Sequence, residues 1–413
     1  MTFRMRAALL AGAALSMAQP AWAEPLTLAQ AVERAIAFSP DLQASGAGVD
    51  AARAEKTQAR VRPNPTLSVE AENFAGSGAY GPFGRSEVTV SYEQPIERGG
   101  KRDARIAHAA SGVALAEAQA RVARLDLARE VQRAFIDAQI ADQLVWIAEE
   151  RLRLEREMQK EAVRRVRGYK DPLFVETRAE ARIVEAELAV KEATAKLDAA
   201  TALLASYWGG SGAGLVIDEG IEKPDPGAPP LAEADGAVLD AAIDRARAGV
   251  VVEQSRAVPD YSVSGGARFL RETNDVAVVA GVSIPLGRFD RNQGNIERAQ
   301  AERRSGSSSS RRRTASRGCS RLASLRADAD AARVRAEGIM EQVYPKAVKT
   351  LSQVREGYNR GGFRFSDVQD AADAIIAIQA QWTEAMTRYR DAQSEIDRLT
   401  GRFDAASFAE TQK

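Results

Sequence analysis

The chain of 413 residues carries 57 basic and 57 acidic side chains, so its formal net charge is zero. Nucleic-acid binders concentrate a basic excess on one face, so no nucleic-acid partner is expected. A single cysteine, Cys319, rules out an internal disulfide, and a single histidine, His108, leaves too few ligands for the common Cys/His zinc sites.

In chain order, the first stretch has the form of an address. Arg4 and Arg6 precede a short apolar run from Ala7 to Ala18, and Ala21-Trp22-Ala23 offers small residues where a signal peptidase reads. Residues 1–23 are therefore expected to be a signal peptide, with an apolar run too short to cross a bilayer. No other apolar run reaches eighteen residues. A membrane-embedded mature chain would then have to cross as β-strands, because only helices and closed barrels satisfy the backbone in lipid.

The remainder divides into two similar halves. Pro63 is echoed by Pro259, Pro95 by Pro285 and Gly168-Tyr169 by Gly357-Tyr358, at offsets of 196, 190 and 189. The expected organisation is a first repeat over 24–210, a Gly/Pro-rich linker over 211–230, a second repeat over 231–401 and a tail over 402–413. Each repeat reads as a helix, two strands and two long helices. Lys101 to Arg167 runs 67 residues with no proline and one glycine, which predicts about 100 Å of unbroken helix. Leu173 to Trp208 and Phe363 to Thr400 contain neither Gly nor Pro. In the last, apolar residues recur in steps of three and four from Val368 through Ile375, Trp382 and Tyr389 to Leu399, a helix burying one stripe. Such lengths require side-by-side packing in a coiled bundle or a wall of helices.

The strands alternate strictly. Leu67, Val69 and Ala71 begin the pattern, Val88, Val90 and Tyr92 continue it, and Val263 and Phe269 then Val278 and Val282 repeat it in the second half. The intervening positions are polar or small. Lengths near ten residues with one apolar face suit tilted barrel crossings whose apolar side meets lipid. Tyr80, Phe83, Tyr92, Tyr261, Phe269 and Phe289 lie near strand ends, where an interfacial aromatic girdle belongs. Four strands cannot close a barrel, since single-chain barrels start at about eight strands. Two chains would supply eight strands with a filled interior. Three supply twelve, enough for a water-filled passage. The expected fold is therefore mainly α with a β-barrel portion: a homotrimer in which long helical hairpins form an α-barrel continuous with a twelve-stranded barrel.

Several motifs resemble the TolC-type outer-membrane efflux channels. Leu26-Thr27-Leu28-Ala29-Gln30-Ala31-Val32-Glu33-Arg34-Ala35, then Ser39-Pro40-Asp41, is similar to the family's opening helix. Gln94-Pro95-Ile96-Glu97-Arg98-Gly99-Gly100-Lys101-Arg102 resembles its strand-to-helix junction. Gly357-Tyr358-Asn359-Arg360-Gly361, followed by Asp367-Val368-Gln369-Asp370-Ala371, resembles the stretch that forms the family's closed periplasmic tip. The junction and Gly168-Tyr169-Lys170-Asp171-Pro172 look most like outer-membrane components of heavy-metal tripartite pumps. The resemblance implies no enzyme activity and no cofactor. It implies a channel in outer-membrane lipid with its helices in the periplasm, fed by a periplasmic adaptor and an inner-membrane pump of the resistance-nodulation-division type. Tyr358 matches the family's gating tyrosine; the gating arginine's position holds Phe363, with Arg364 one residue later. The implied gate contacts involve Asp171 or Glu176 on the first tip and Arg364 on the second.

One segment breaks the pattern. Arg303 to Arg321 holds seven Arg and seven Ser in 19 residues, poor helix formers where a long helix is expected. It reads as a locally shifted reading frame, with a polybasic patch or a flexible linker as alternatives. Functionally, the leading expectation is a passive duct for metal cations. Drug efflux or protein secretion by the same fold, and a poreless periplasmic scaffold, remain alternatives.

Overall fold

The computed structural model describes residues 25–81, 83–218, 234–305 and 308–404. The expected signal peptide lies outside the described residues, as do 219–233 of the linker region and 405–413 of the tail. The chain is mainly helical with one small antiparallel sheet. Helices α1 (Leu28–Phe38) and α2 (Pro40–Ala59) precede strands β1 (Thr66–Glu72) and β2 (Glu87–Ile96). Next come α3 (Lys101–Arg167), α4 (Phe174–Ser206) and α5 (Ala234–Arg256). Strands β3 (Tyr261–Leu270) and β4 (Asp275–Ser283) lead to α6 (Gln293–Ser305), α7 (Ser308–Gly338), α8 (Tyr344–Arg360) and α9 (Phe365–Thr400). The 67-residue helix over Lys101–Arg167 forms as the sequence predicts.

Two compact units are present: residues 1–34 with 134–222, and residues 35–133 with 223–413. In the first unit Leu26 bridges to Ile217 in parallel: its N–H donates to Val216 at 2.8 Å, and its carbonyl accepts from Asp218 at 3.0 Å. Alanines 134, 138, 162, 179, 186 and 193 are buried there, so neighbouring helices can approach closely.

In the second unit α7 and α9 pack through Leu322, Ala329, Ala332, Tyr389, Ala392, Ile396 and Leu399. A charged hub joins α3, α5 and α9. Arg398 reaches Asp126 at 2.7 Å and Asp235 at 2.6 Å, while buried Asp397 accepts from Gln132 at 2.8 Å and pairs with Arg402 at 3.0 Å. Burial pushes the Arg398 guanidinium down, but the two carboxylates outweigh it and raise its pKa.

The Arg/Ser-rich segment is flanked by helix on both sides. A long helix with an out-of-pattern composition was expected there; α6 runs to Ser305 and α7 begins at Ser308. Propensity is a weak prior spread over many residues, and the same helix is held by its later packing against α9. A second irregularity was not foreseen. Residues Ile339–Val343 form a π-helical turn just before Pro345, whose ring clashes with the carbonyl four residues back and which has no N–H to donate.

Arg398→Ala leaves two carboxylates facing each other without their cation. It should cost about 2–4 kcal/mol of stability, read as a lowered melting midpoint of the detergent-solubilised protein. An unchanged midpoint would mean that the hub contributes nothing.

Candidate functional site

The sheet runs in the order β1-β2-β3-β4, each pair antiparallel. Its register places every apolar residue of the alternation on one face. Leu67 lies opposite Tyr92 and Val69 opposite Val90; Val88 faces Phe269, Val263 faces Val282 and Ala267 faces Val278. All seven expected apolar-face residues (Val88, Val90, Tyr92, Val263, Phe269, Val278 and Val282) share this face and are exposed, Val278 by 88%. Among the described residues nothing covers them.

The other face is polar. Ser68 and Ser91 hydroxyls lie 2.7 Å apart, and Arg268 spans three strands, reaching Glu72 at 3.3 Å, Glu87 at 3.0 Å and the Thr89 hydroxyl at 3.0 Å. Glu70, Glu93 and Asp275 share this face, so among the described residues its carboxylates outnumber its one guanidinium. Arg268 was not singled out from sequence, because its role appears only once the register aligns it with Thr89.

The strands join their helices at one end of the sheet. There the Asp260 carboxylate accepts from the Arg98 N–H at 2.9 Å and pairs with Lys101 at 2.8 Å. Burial pushes Asp260 up, but these hydrogen bonds and the Lys101 and Arg105 charges leave it below the usual carboxylate range.

The two helix-hairpin tips belong to different units and are built differently. In the first, α3 ends at Arg167 and the chain reverses through Gly168 and Tyr169. The left-handed position falls on Tyr169 (φ 56°), which projects 98% exposed, with Leu173 and Phe174 exposed beside it. Asp171 is held twice by Arg165, at 2.9 and 3.1 Å, and Glu176 lies half-buried in the first turn of α4.

In the second tip Gly357 and Tyr358 still belong to α8, and Gly361 takes the left-handed turn at φ 86°. Tyr358 is 1% exposed and packs on Phe365 with ring centroids 5.9 Å apart. Gly357 lets the Phe363 ring lie on the helix, since an added Cβ would sit 2.2 Å from that ring. Asp367 caps α9, accepting from the Arg364 N–H at 2.8 Å. The Arg364 and Asp370 side chains are exposed. The matching Gly-Tyr pairs thus occupy opposite environments, one tyrosine outside and one inside. Phe363 and Arg165 were not among the expected site residues. Phe363 is packed beneath a glycine six positions earlier, and Arg165 lies in an ordinary helical run.

Tyr169→Gly should stabilise the first tip by up to about 1 kcal/mol, because a left-handed residue strains any side chain. Gly361→Ala should cost about 1 kcal/mol or more at the second. Hydrogen exchange of each turn reads both; equal slowing or no change in both turns contradicts the assignment.

The family described as outer membrane efflux protein is matched over residues 31–210. The cobalt-zinc-cadmium resistance protein CzcC of Cupriavidus metallidurans is 32% identical over 92% of this chain and 91% of its own length. The nickel-cobalt-cadmium resistance protein NccC of Alcaligenes xylosoxydans xylosoxydans is 28% identical over 65% of this chain and 62% of its own. Among solved structures, the outer membrane protein VceC of Vibrio cholerae superposes with a TM-score of 0.75 at 19% identity, covering 91% of this chain and 96% of VceC. With a full-length relative at that identity and the same fold, the chain belongs to the outer membrane efflux protein family.

Proposed function

We propose that the chain is the outer-membrane duct of a tripartite metal-efflux system, assembled as a homotrimer and conducting cations passively from periplasm to exterior. One observation carries this reading: a four-stranded sheet with one predominantly apolar exposed face, one carboxylate-rich face and two unpaired edges. Three copies close those edges into twelve strands, turning the apolar face to lipid and the polar face to the passage. β1 and β4 run in opposite directions, so closure between copies keeps the antiparallel order. The repeated order of helices, strands and long helices supports an internal duplication over 24–210 and 231–401. The resistance named for CzcC and NccC, and the excess of carboxylates over Arg268 on the polar face, favour metal cations as cargo. An adaptor and an inner-membrane pump of the resistance-nodulation-division type follow from the same relationship. The exposed Tyr169, Leu173 and Phe174 are the surface such an adaptor would cover.

In the closed trimer the tips are held by polar contacts that an adaptor displaces. On the first tip Asp171 is already engaged by Arg165. Arg364→Glu should raise single-channel conductance in planar bilayers; an unaltered conductance removes Arg364 from the gate.

Closure is tested by cysteines in a Cys319→Ser background. Ser68→Cys combined in turn with Ala277→Cys, Val279→Cys or Gly281→Cys should give oxidised dimers and trimers and no larger ladder. Only monomers across the whole series would refute the trimer. A deletion strain should lose cobalt, zinc and cadmium tolerance and regain it with the wild-type gene; a strain sensitised only to organic drugs would instead favour drug efflux.

A further inference from the structure

The end of the sheet where the strands meet their helices carries a set of cations that the channel reading leaves unused. Arg62, Arg98, Arg288 and Arg291 are all exposed there, and none forms an ion pair among the described residues. The neighbouring carboxylates are already engaged: Glu97 by Arg105, Asp260 by Lys101, Glu253 by Arg256, and Asp290 by the Asn292 N–H at 2.8 Å.

Two of the arginines are aimed at the apolar side. The Arg98 guanidinium lies 5.9 Å from the ring centre of Tyr261, which shares its face with Val263 and stands opposite Ile96. Arg288 lies 5.5 Å from the ring of Phe289, itself 85% exposed and close to exposed Ile284 and Leu286. Each is a cation resting on an aromatic ring at the border of an apolar band, the arrangement that suits a lipid headgroup boundary. At the sheet's other end Arg268 pairs with Glu72 and Glu87, Arg85 pairs with Glu272 and rests 5.8 Å from the Tyr80 ring centre, and Arg271 alone is exposed without an ion pair among the described residues. Free positive charge is therefore concentrated at one rim.

We propose that Arg62, Arg98, Arg288 and Arg291 form a phosphate-binding rim that grips anionic phospholipid headgroups of the periplasm-facing leaflet. This rests on the channel reading, because only an inserted barrel brings the rim to headgroup depth. Guanidinium groups donate paired hydrogen bonds to phosphate oxygens, and the rings beneath hold Arg98 and Arg288 level with the ester region. Around a trimer the rim would recur three times and fix the depth at which the barrel rides.

The test uses the full-length protein in phosphatidylcholine vesicles doped with phosphatidylglycerol. Lipid carried through mild detergent extraction is counted by native mass spectrometry. The Arg98→Gln/Arg288→Gln variant should retain phosphatidylglycerol about fivefold less per arginine replaced, while still inserting and conducting. Arg62→Gln/Arg291→Gln should lose it in the same direction. Variants that insert and conduct but retain the lipid like wild type overturn the rim and leave the channel intact. A wild-type protein that never inserts overturns both. Inorganic phosphate in lipid-free detergent that raises the melting midpoint as much as phosphatidylglycerol does would make the rim a free-anion site and also overturn the proposal.

Discussion

A sheet with one predominantly apolar face and two open edges is stable in neither solvent alone. Water penalises the exposed face of Leu67, Val69, Val276, Val278 and Val282. Lipid removes that penalty but charges several kcal/mol for each backbone group left without a partner. The edge strands β1 and β4 run 7 and 9 residues. Their outward peptide groups in lipid would therefore cost tens of kcal/mol, well beyond the roughly 5–15 kcal/mol by which a domain is normally stable. Edge pairing with another copy is thus a condition of insertion and not an embellishment of it. The same constraint accounts for the alternation along all four strands, which keeps every strand carboxylate on one face and is broken only by Gln94 on the apolar face and by Leu270 and Val279 on the polar one. A slip of one residue would turn carboxylates to lipid.

The helices answer to a different requirement. Their buried positions are dominated by alanine, which contributes little apolar area but allows close approach and keeps helix propensity high. Specificity then falls to a few polar knots. Arg398 and Asp397 tie α3, α5 and α9 at one level, and Asp367 and Gly361 define where α8 stops and α9 begins. Between these points lies the π-turn before Pro345, where the helix widens by one residue instead of breaking.

What was legible in the sequence follows from how local each signal is. Strand faces could be assigned because a period of two needs only the neighbouring residues, and the bounds of α3 because no Pro or Gly run interrupts it. In the Arg/Ser-rich stretch two signals oppose each other, since its composition argues against helix while packing farther along argues for it. The tips differ more subtly. The two Gly-Tyr pairs match in spelling, but α3 ends before its pair and α8 runs through its own, so one tyrosine is exposed and the other buried. Helix ends are set by one or two residues of capping geometry, which pattern-matching does not resolve. Arg268 over Thr89 and Arg98 over Tyr261 depend on strand register across more than 160 residues of chain, beyond the reach of any local window.

Strand parity links the sheet to the direction of transport. A hairpin returns the chain to the end it left, so two hairpins bring α2, α3, α5 and α6 to one rim of the sheet. The opposite rim receives only the loop over 73–86 and the short turn over 271–274, tied together by the Arg271 N–H donating to Ser86 at 3.1 Å. The two rims differ in charge: among the described residues four exposed arginines lack an ion pair at the helix end, against Arg271 alone at the loop end, where Arg85 and Arg268 are paired. An exported chain threading its strands into a membrane from the periplasm can carry short polar loops across far more readily than helices as long as α3. On the proposed channel reading the even strand count sets the orientation before any side chain is considered, and the proposed arginine rim would hold that orientation at a fixed depth.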